Sequence, residues 1–294
     1  MNDFLNRIQA HASGFSKGQR MIAKYISEHY DKAAFMTAHK LGEMVSVSES
    51  TVVRFATEIG YDGYPQLQNA LQEMIRNRLT AVQRLDVTSD RLGKQEVLRT
   101  VLLSDMEKIK LTLEEIDRSV FEAAVNRILY AKSIYIIGGR SSSALATFLG
   151  FYFHLLFADV HLVHTSSASE TFEQMLRVGP GDVVIGISFP RYSRRTLKAL
   201  KYAKSMSAST IALTDSLLSP LSQDADYTLI AKSDMASFAD SLVAPLSVIN
   251  ALIAAVGIKK RDEIKETFAK LEDIWDEYDV YEKYDRASEN NETM

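Results

Sequence analysis

Two stretches of this sequence combine glycine, serine and arginine in a way that suits an anion. The first is Gly138, Gly139, Arg140, Ser141, Ser142 and Ser143, at the end of an apolar, β-branched run. Glycine lets a backbone turn sharply, and serine hydroxyls beside the N–H groups of a helix N-terminus hold negative charge. The second runs from Ser188 through Phe189, Pro190, Arg191, Tyr192 and Ser193 to Arg194 and Arg195, again after an apolar run and before a helical pattern. Gly139, Arg140, Ser141, Ser142, Ser188, Arg191 and Ser193 are therefore candidate ligand-binding residues. Glu170 and Glu173 follow another apolar run. A carboxylate there can bond sugar hydroxyls or serve as a general base. Glu170 stays among the binding candidates, and Glu173 reads as a solvated face.

A third stretch, Thr37 to Phe55, carries a different chemistry. Gly42 stands where two steeply crossed helices would approach, and Leu41, Val45, Val47, Val52 and Phe55 are spaced to pack them. Ser48 suits an N-cap. Glu49, Ser50 and Thr51 then fall in the first turn of the second helix, with Arg54 one turn on. The N-terminal half of such a helix reads bases in a major groove. Ser50 and Thr51 can bond phosphates or bases, Arg54 a guanine or a phosphate, and Glu49 a cytosine amine or its own helix dipole. The turn usually takes glycine, and Ser46 stands there. The same spacing also suits a structural helical hairpin that binds no DNA.

Other chemistries find no residues. There is no cysteine, hence no disulfide, no thiolate metal site and no thiol nucleophile. Gly138 and Gly139 lack the spaced third glycine of a dinucleotide loop, and no Gly-Lys-Ser/Thr phosphate loop occurs. His161 and His164 bracket a short strand and are read as strand-end residues. No acid/base pair stands out. No catalytic residue, metal or cofactor is expected.

The elements that must position these groups follow from periodicity. Residues 1–80 read as helical, with Met21, Ile22, Tyr25 and Ile26, then Leu41, Met44 and Val45, then Val52, Val53, Phe55 and Ile59 at helical spacing. Gly60 ends that run, and another helix is predicted from near Pro65 past Leu79. Residues 86–95 are polar and turn-rich, which marks a linker, and Glu96 to Glu115 form an amphipathic helix. Beyond Ser119, strands are predicted at Ser133–Ile137, Val160–His164, Val183–Ser188, Thr210–Thr214 and Tyr227–Ala231, alternating mostly with helices. Apolar strands alternating with helices imply a parallel sheet covered on both faces. With order 2-1-3-4-5, both serine loops meet at the switch point between strands one and three, where such folds bind ligands. The apolar clusters around Phe148–Phe157 read as core or subunit interface.

The chain thus divides into 1–80 (an all-α helix-turn-helix domain), 81–118 (linker and connecting helix), 119–270 (an α/β domain with a five-stranded parallel sheet) and an acidic tail, 271–294. The net charge is −4 over 294 residues, yet residues 271–294 alone carry −7 and residues 1–80 carry +1. Any DNA affinity rests on locally placed cations rather than a broad basic field. The N-terminal residues lack the apolar core of a signal peptide. Ser241–Ile258 is 18 residues without charge but is read as a buried helix. A cytoplasmic protein with no membrane contact is expected.

At Ser48 to Phe55, and at Ile59, Gly60, Tyr61, Asp62, Gly63 and Tyr64, the chain resembles the RpiR/MurR-type regulators, with a helix-turn-helix followed by a sugar isomerase (SIS) domain. The resemblance spans about residues 15–269. It implies a flavodoxin-like sheet, SIS-mediated homodimers, operator DNA as partner, and control of a sugar-catabolism operon by a sugar phosphate; whether dimers pair into tetramers is left open by the sequence. Ser141 and Ser142 match the family's first serine loop and Ser188 the start of its second, Ser-x-Ser-Gly-x-Thr. There Pro190 replaces the second serine, Arg191 the glycine and Ser193 the threonine. One hydroxyl is lost and a guanidinium gained, so a carboxylate is as suitable a ligand group as a phosphate. The alternatives are a phosphosugar isomerase or etherase, and an adaptor that uses the SIS dimer as a platform.

Overall fold

The computed structural model describes residues 7–8, 10–76, 82–85, 96–164, 167–233 and 239–282. The predicted linker 86–95, the end of the helix predicted past Leu79 and residues 283–294 lie outside them.

Among the described residues, the N-terminal region packs the helices α1 (Lys17–Glu28), α2 (Tyr30–Ala33), α3 (Ala38–Met44), α4 (Glu49–Glu58) and α5 (Tyr64–Arg76). Ile22, Ile26, Leu41, Val52, Phe55, Ile59, Leu67 and Leu71 are fully buried in one core. Ser16 opens α1 with a reciprocal capping box to Gln19. Gln19 Nε2 also donates to Glu58 Oε2 at 2.6 Å, tying α1 to the end of α4. Tyr64 Oη donates to the Met36 carbonyl (2.8 Å), Gln68 Nε2 to the same carbonyl (2.7 Å) and Gln72 Nε2 to that of Ala34 (2.9 Å). Three side chains at four-residue spacing on α5 thus satisfy the carbonyls that follow α2.

A helical turn at 82–85 and the helix α6 (Val97–Glu115) lead to α7 (Arg118–Leu129) and the α/β domain. Its strands are β1 (Ile134–Gly138), β2 (Val160–Val163), β3 (Val183–Ile187), β4 (Ser209–Thr214) and β5 (Tyr227–Ile230). All pairs are parallel, in the order β2-β1-β3-β4-β5. The predicted strands match to within a residue at each end. The helices are α8 (Ser142–Leu156), α9 (Ala168–Gln174), α10 (Arg194–Ser205), α11 (Val243–Lys259) and α12 (Arg261–Glu277). Ile134, Ile136, Val183, Ile185, Ile187, Ile211 and Leu213 enter one core with α7, α8 and α11, whereas Tyr135, Ile137, Val184 and Ala212 enter a second core with α10. Both faces of each central strand are covered, which is why these runs read as continuously apolar.

The uncharged stretch near Ser241 is α11, whose Val248, Ile249, Leu252 and Val256 are core residues. No single described helix is long and apolar enough to cross a membrane. α12 runs without a break through residue 270, where charge alone suggests a boundary.

Candidate functional site

Ser46 has φ of 57°, so the turn between α3 and α4 adopts the left-handed conformation usually left to glycine. A Cβ at Gly42 would lie 2.7 Å from the Val47 carbonyl oxygen, so this close approach requires glycine. Ser48 caps α4: its Oγ accepts the Thr51 N–H (3.3 Å) and lies 2.9 and 2.8 Å from the hydroxyls of Ser50 and Thr51. Ser48, Glu49, Ser50 and Arg54 are exposed and Thr51 is half-buried. Glu49, Ser50, Val53 and Arg54 line a shallow hollow. Arg54 Nε donates to the Ser50 carbonyl (3.2 Å), which lays the guanidinium back along the first turn. Glu49 Oε2 lies 3.7 Å from His39 Nδ1 on α3. The predicted hydrogen-bonding residues therefore share one surface.

The second site is a cavity of about 410 Å³ at the carboxyl ends of β1 and β3, within the range of small-ligand pockets. It is lined by Gly139, Arg140, Ser141 and Ser142 from the first loop and by Ser188 to Arg191 and Ser193 from the second. A Cβ at Gly139 would sit 2.7 Å from Ser193 Oγ, so the loops meet where only glycine fits. A Cβ at Gly138 would collide with the Ser142 carbonyl, because α8 starts directly over the strand end. Ser188 Oγ accepts the Ser193 N–H at 3.0 Å, and Ser193 Oγ caps α10 by accepting the Thr196 N–H at 3.3 Å. Both hydroxyls are fixed as acceptors and keep their protons to donate. The Thr196 hydroxyl, wholly buried beside Gly139, has no hydrogen-bond partner among the described residues.

Arg191 has φ of 64°. Arg191 thus adopts the left-handed conformation that glycine takes most readily. Arg140 has φ of 57°, so the arginines of both serine loops hold left-handed backbones, and strain of this kind gathers at functional sites. Tyr192 turns aside and donates its hydroxyl to Asp215 Oδ1 (2.8 Å).

The structure does not bring Glu170 to this cavity. It is exposed in the first turn of α9 and is not among the described lining residues. Glu173 faces a different hollow, with Lys132, Asp159 and His161. His161 stacks on Tyr135 (4.5 Å between rings) and pairs with Asp159 at 2.9 Å. No group of three or more potential metal ligands occurs among the described residues.

The charged lining residues that the sequence did not single out are Arg84 and Asp240. Arg84 Nη1 donates to Asp240 Oδ1 at 2.8 Å, with the arginine side chain 4% and the aspartate 21% exposed. Asp240 immediately precedes the uncharged stretch, which is the one local signal that singles it out.

Comparison with known proteins agrees with this geometry. Residues 2–78 match the helix-turn-helix domain of the rpiR family, and residues 127–255 match the SIS domain. The transcriptional regulator HexR of Escherichia coli K12 is 26% identical over 286 residues, covering 92% of this chain and 95% of that one. HexR of Pseudomonas aeruginosa is 23% identical over 266 residues, covering 88% and 91%. Among solved structures, the sugar isomerase domain of an RpiR transcription factor from Sphaerobacter thermophilus superposes with a TM-score of 0.58 at 29% identity, covering 60% of this chain and 99% of that one. The NanR protein of Vibrio vulnificus, complexed with ManNAc-6P, gives 0.53 at 22% identity, covering 92% and 97%. The NanR likeness shows the fold.

Proposed function

Because the chain belongs to the rpiR-type transcription regulators, joining an rpiR-family helix-turn-helix domain to a SIS domain, we propose that its cavity senses a phosphosugar or related anionic sugar derivative and so controls operator binding at a carbohydrate-catabolism operon. The observation that carries this reading is the convergence of both serine loops on one cavity lined, among the described residues, by Arg84, Arg140 and Arg191 against one carboxylate, Asp240. A lining with two positive charges in excess, hydroxyl donors and the N-terminus of α10 favours a dianion on an uncharged polyol. NanR holds ManNAc-6P, and a ligand of that class suits this lining. Gly139, Arg140, Ser141, Ser142, Ser188, Arg191 and Ser193 are the effector-binding residues of this reading, without Glu170.

Residues 1–80 form the DNA-binding unit, with Ser48, Glu49, Ser50, Thr51 and Arg54 facing the groove, 119–270 form the sensing unit, and 81–118 connect them. A homodimer on a palindromic operator completes the proposal. It is supported by α6, whose Leu98, Leu102, Leu103 and Met106 are more than half exposed. A phosphosugar isomerase on this fold needs a base at the reacting carbons. The cavity's carboxylate is tied to Arg84, so the regulator is the better supported reading.

The test is capture of genomic DNA fragments by the full chain, then titration of a captured fragment at fixed salt. Arg54→Ala is expected to weaken binding about tenfold, the typical worth of one recognition contact. Unchanged affinity would remove α4 from the interface.

A further inference from the structure

Arg84 is not part of either serine loop. It sits on the helical turn 82–85, between the end of α5 and the start of α6, and its side chain is buried in the wall of the cavity. An arginine so deeply enclosed needs an anion against its guanidinium, and here Asp240 supplies it. The next residue, Ser241, donates its hydroxyl to Asp105 Oδ1 on α6 at 2.6 Å, and its carbonyl accepts from Ser233 Oγ. The connection between the domains thus grips two adjacent residues of the cavity rim, Asp240 through Arg84 and Ser241 through Asp105.

We infer that Arg84 is an effector-binding residue for which Asp240 and the anionic group of the effector compete, so that occupancy of the cavity acts on the connection between the domains. The inference rests on the reading of this cavity as the effector site. A guanidinium presents five donors in a planar fork, and a phosphate or carboxylate accepts two of them in parallel. Arg84 shares its cavity with Arg140, Arg191 and the Ser188 hydroxyl, so an anion seated between the loops draws on the donors that Asp240 uses. When the anion takes them, the link from 82–85 to the rim at Asp240 weakens while the link at Ser241 stays. Differential contact of this kind is what a ligand needs in order to shift a conformational equilibrium.

The experiment titrates the full chain with inorganic phosphate, following thermal stability, for wild type, Arg84→Gln, Asp240→Asn and Ser188→Ala. Loss of a charge-assisted bond is expected to weaken phosphate about tenfold or more in Arg84→Gln. Asp240→Asn removes the competitor and is expected to bind phosphate more tightly than wild type. That opposite sign separates the proposal from a purely structural bridge, whose loss from either side would weaken binding alike. If Ser188→Ala weakens phosphate while Arg84→Gln does not, or if Asp240→Asn weakens it, the role of Arg84 is overturned and the cavity stands. If phosphate gives no response, or one indifferent to Ser188, the cavity reading falls and this inference with it.

Discussion

Arg191 and Arg140 hold backbone conformations that cost a side-chain-bearing residue on the order of 1–2 kcal/mol each. At Arg191 the cost accompanies a guanidinium that lines the cavity. Arg191→Gly is therefore expected to stabilise the free protein by about 1 kcal/mol while weakening its hold on an anionic ligand. Urea unfolding and a phosphosugar titration on the same variant measure both. A variant neither more stable nor weaker in binding would show that Arg191 serves neither purpose. The seven candidates from the two serine loops were legible because glycine and serine before a helix form a local pattern. Arg84 and Asp240 were not, since 156 positions separate them and only the fold pairs them. Glu170 lies on the first turn of α9 and is not among the described lining residues, because proximity in sequence to the end of β2 does not fix which way α9 turns.

At the scale of elements, α5 is held to the end of α2 by Tyr64, Gln68 and Gln72, and α4 is packed between α1, α3 and α5. Tyr64 is buried, and this pushes its phenol well above its ordinary value of 10.0. Tyr64→Phe removes one of two donors to the Met36 carbonyl, which keeps Gln68, and is expected to cost about 0.5–1.5 kcal/mol, the net contribution of one buried hydrogen bond. Because the folded state favours the neutral phenol, Tyr64's contribution is full below pH 10 and declines as pH rises beyond that. Melting curves from pH 7 to 11 are expected to fall more steeply for wild type than for Tyr64→Phe. Identical slopes would mean that the hydroxyl is not buried in solution. The strands were readable from their β-branched runs, and their order from the rule for doubly wound sheets. The helix-turn-helix was readable despite Ser46, because the packing residues around Gly42 carry the pattern. The acidic, aromatic tail with Trp275 and Tyr278 suited a packed helix, and α12 runs into it as far as Glu277, with Ile264 buried in its first turns.

For the whole molecule, charge is unevenly spread: a net of −4, with −7 in residues 271–294. The account therefore needs a dimer to present two recognition helices at once. α6 carries the exposed apolar residues Leu98, Leu102, Leu103 and Met106. A light-scattering mass of twice 33.0 kDa, reduced by the pair Leu102→Glu and Met106→Glu, is the expected outcome. A monomeric wild type would remove the palindromic operator from the account.

The most direct test of the central claim is a thermal-shift screen of the full chain against phosphosugars, with the parent sugars and sugar acids as controls. At 100 times its dissociation constant, a specific ligand adds about 2.7 kcal/mol to native stability. The account predicts such a shift with a phosphosugar, absent with its parent sugar and abolished by Ser141→Ala. Stabilisation by no anionic sugar, or by one that ignores Ser141, would contradict it.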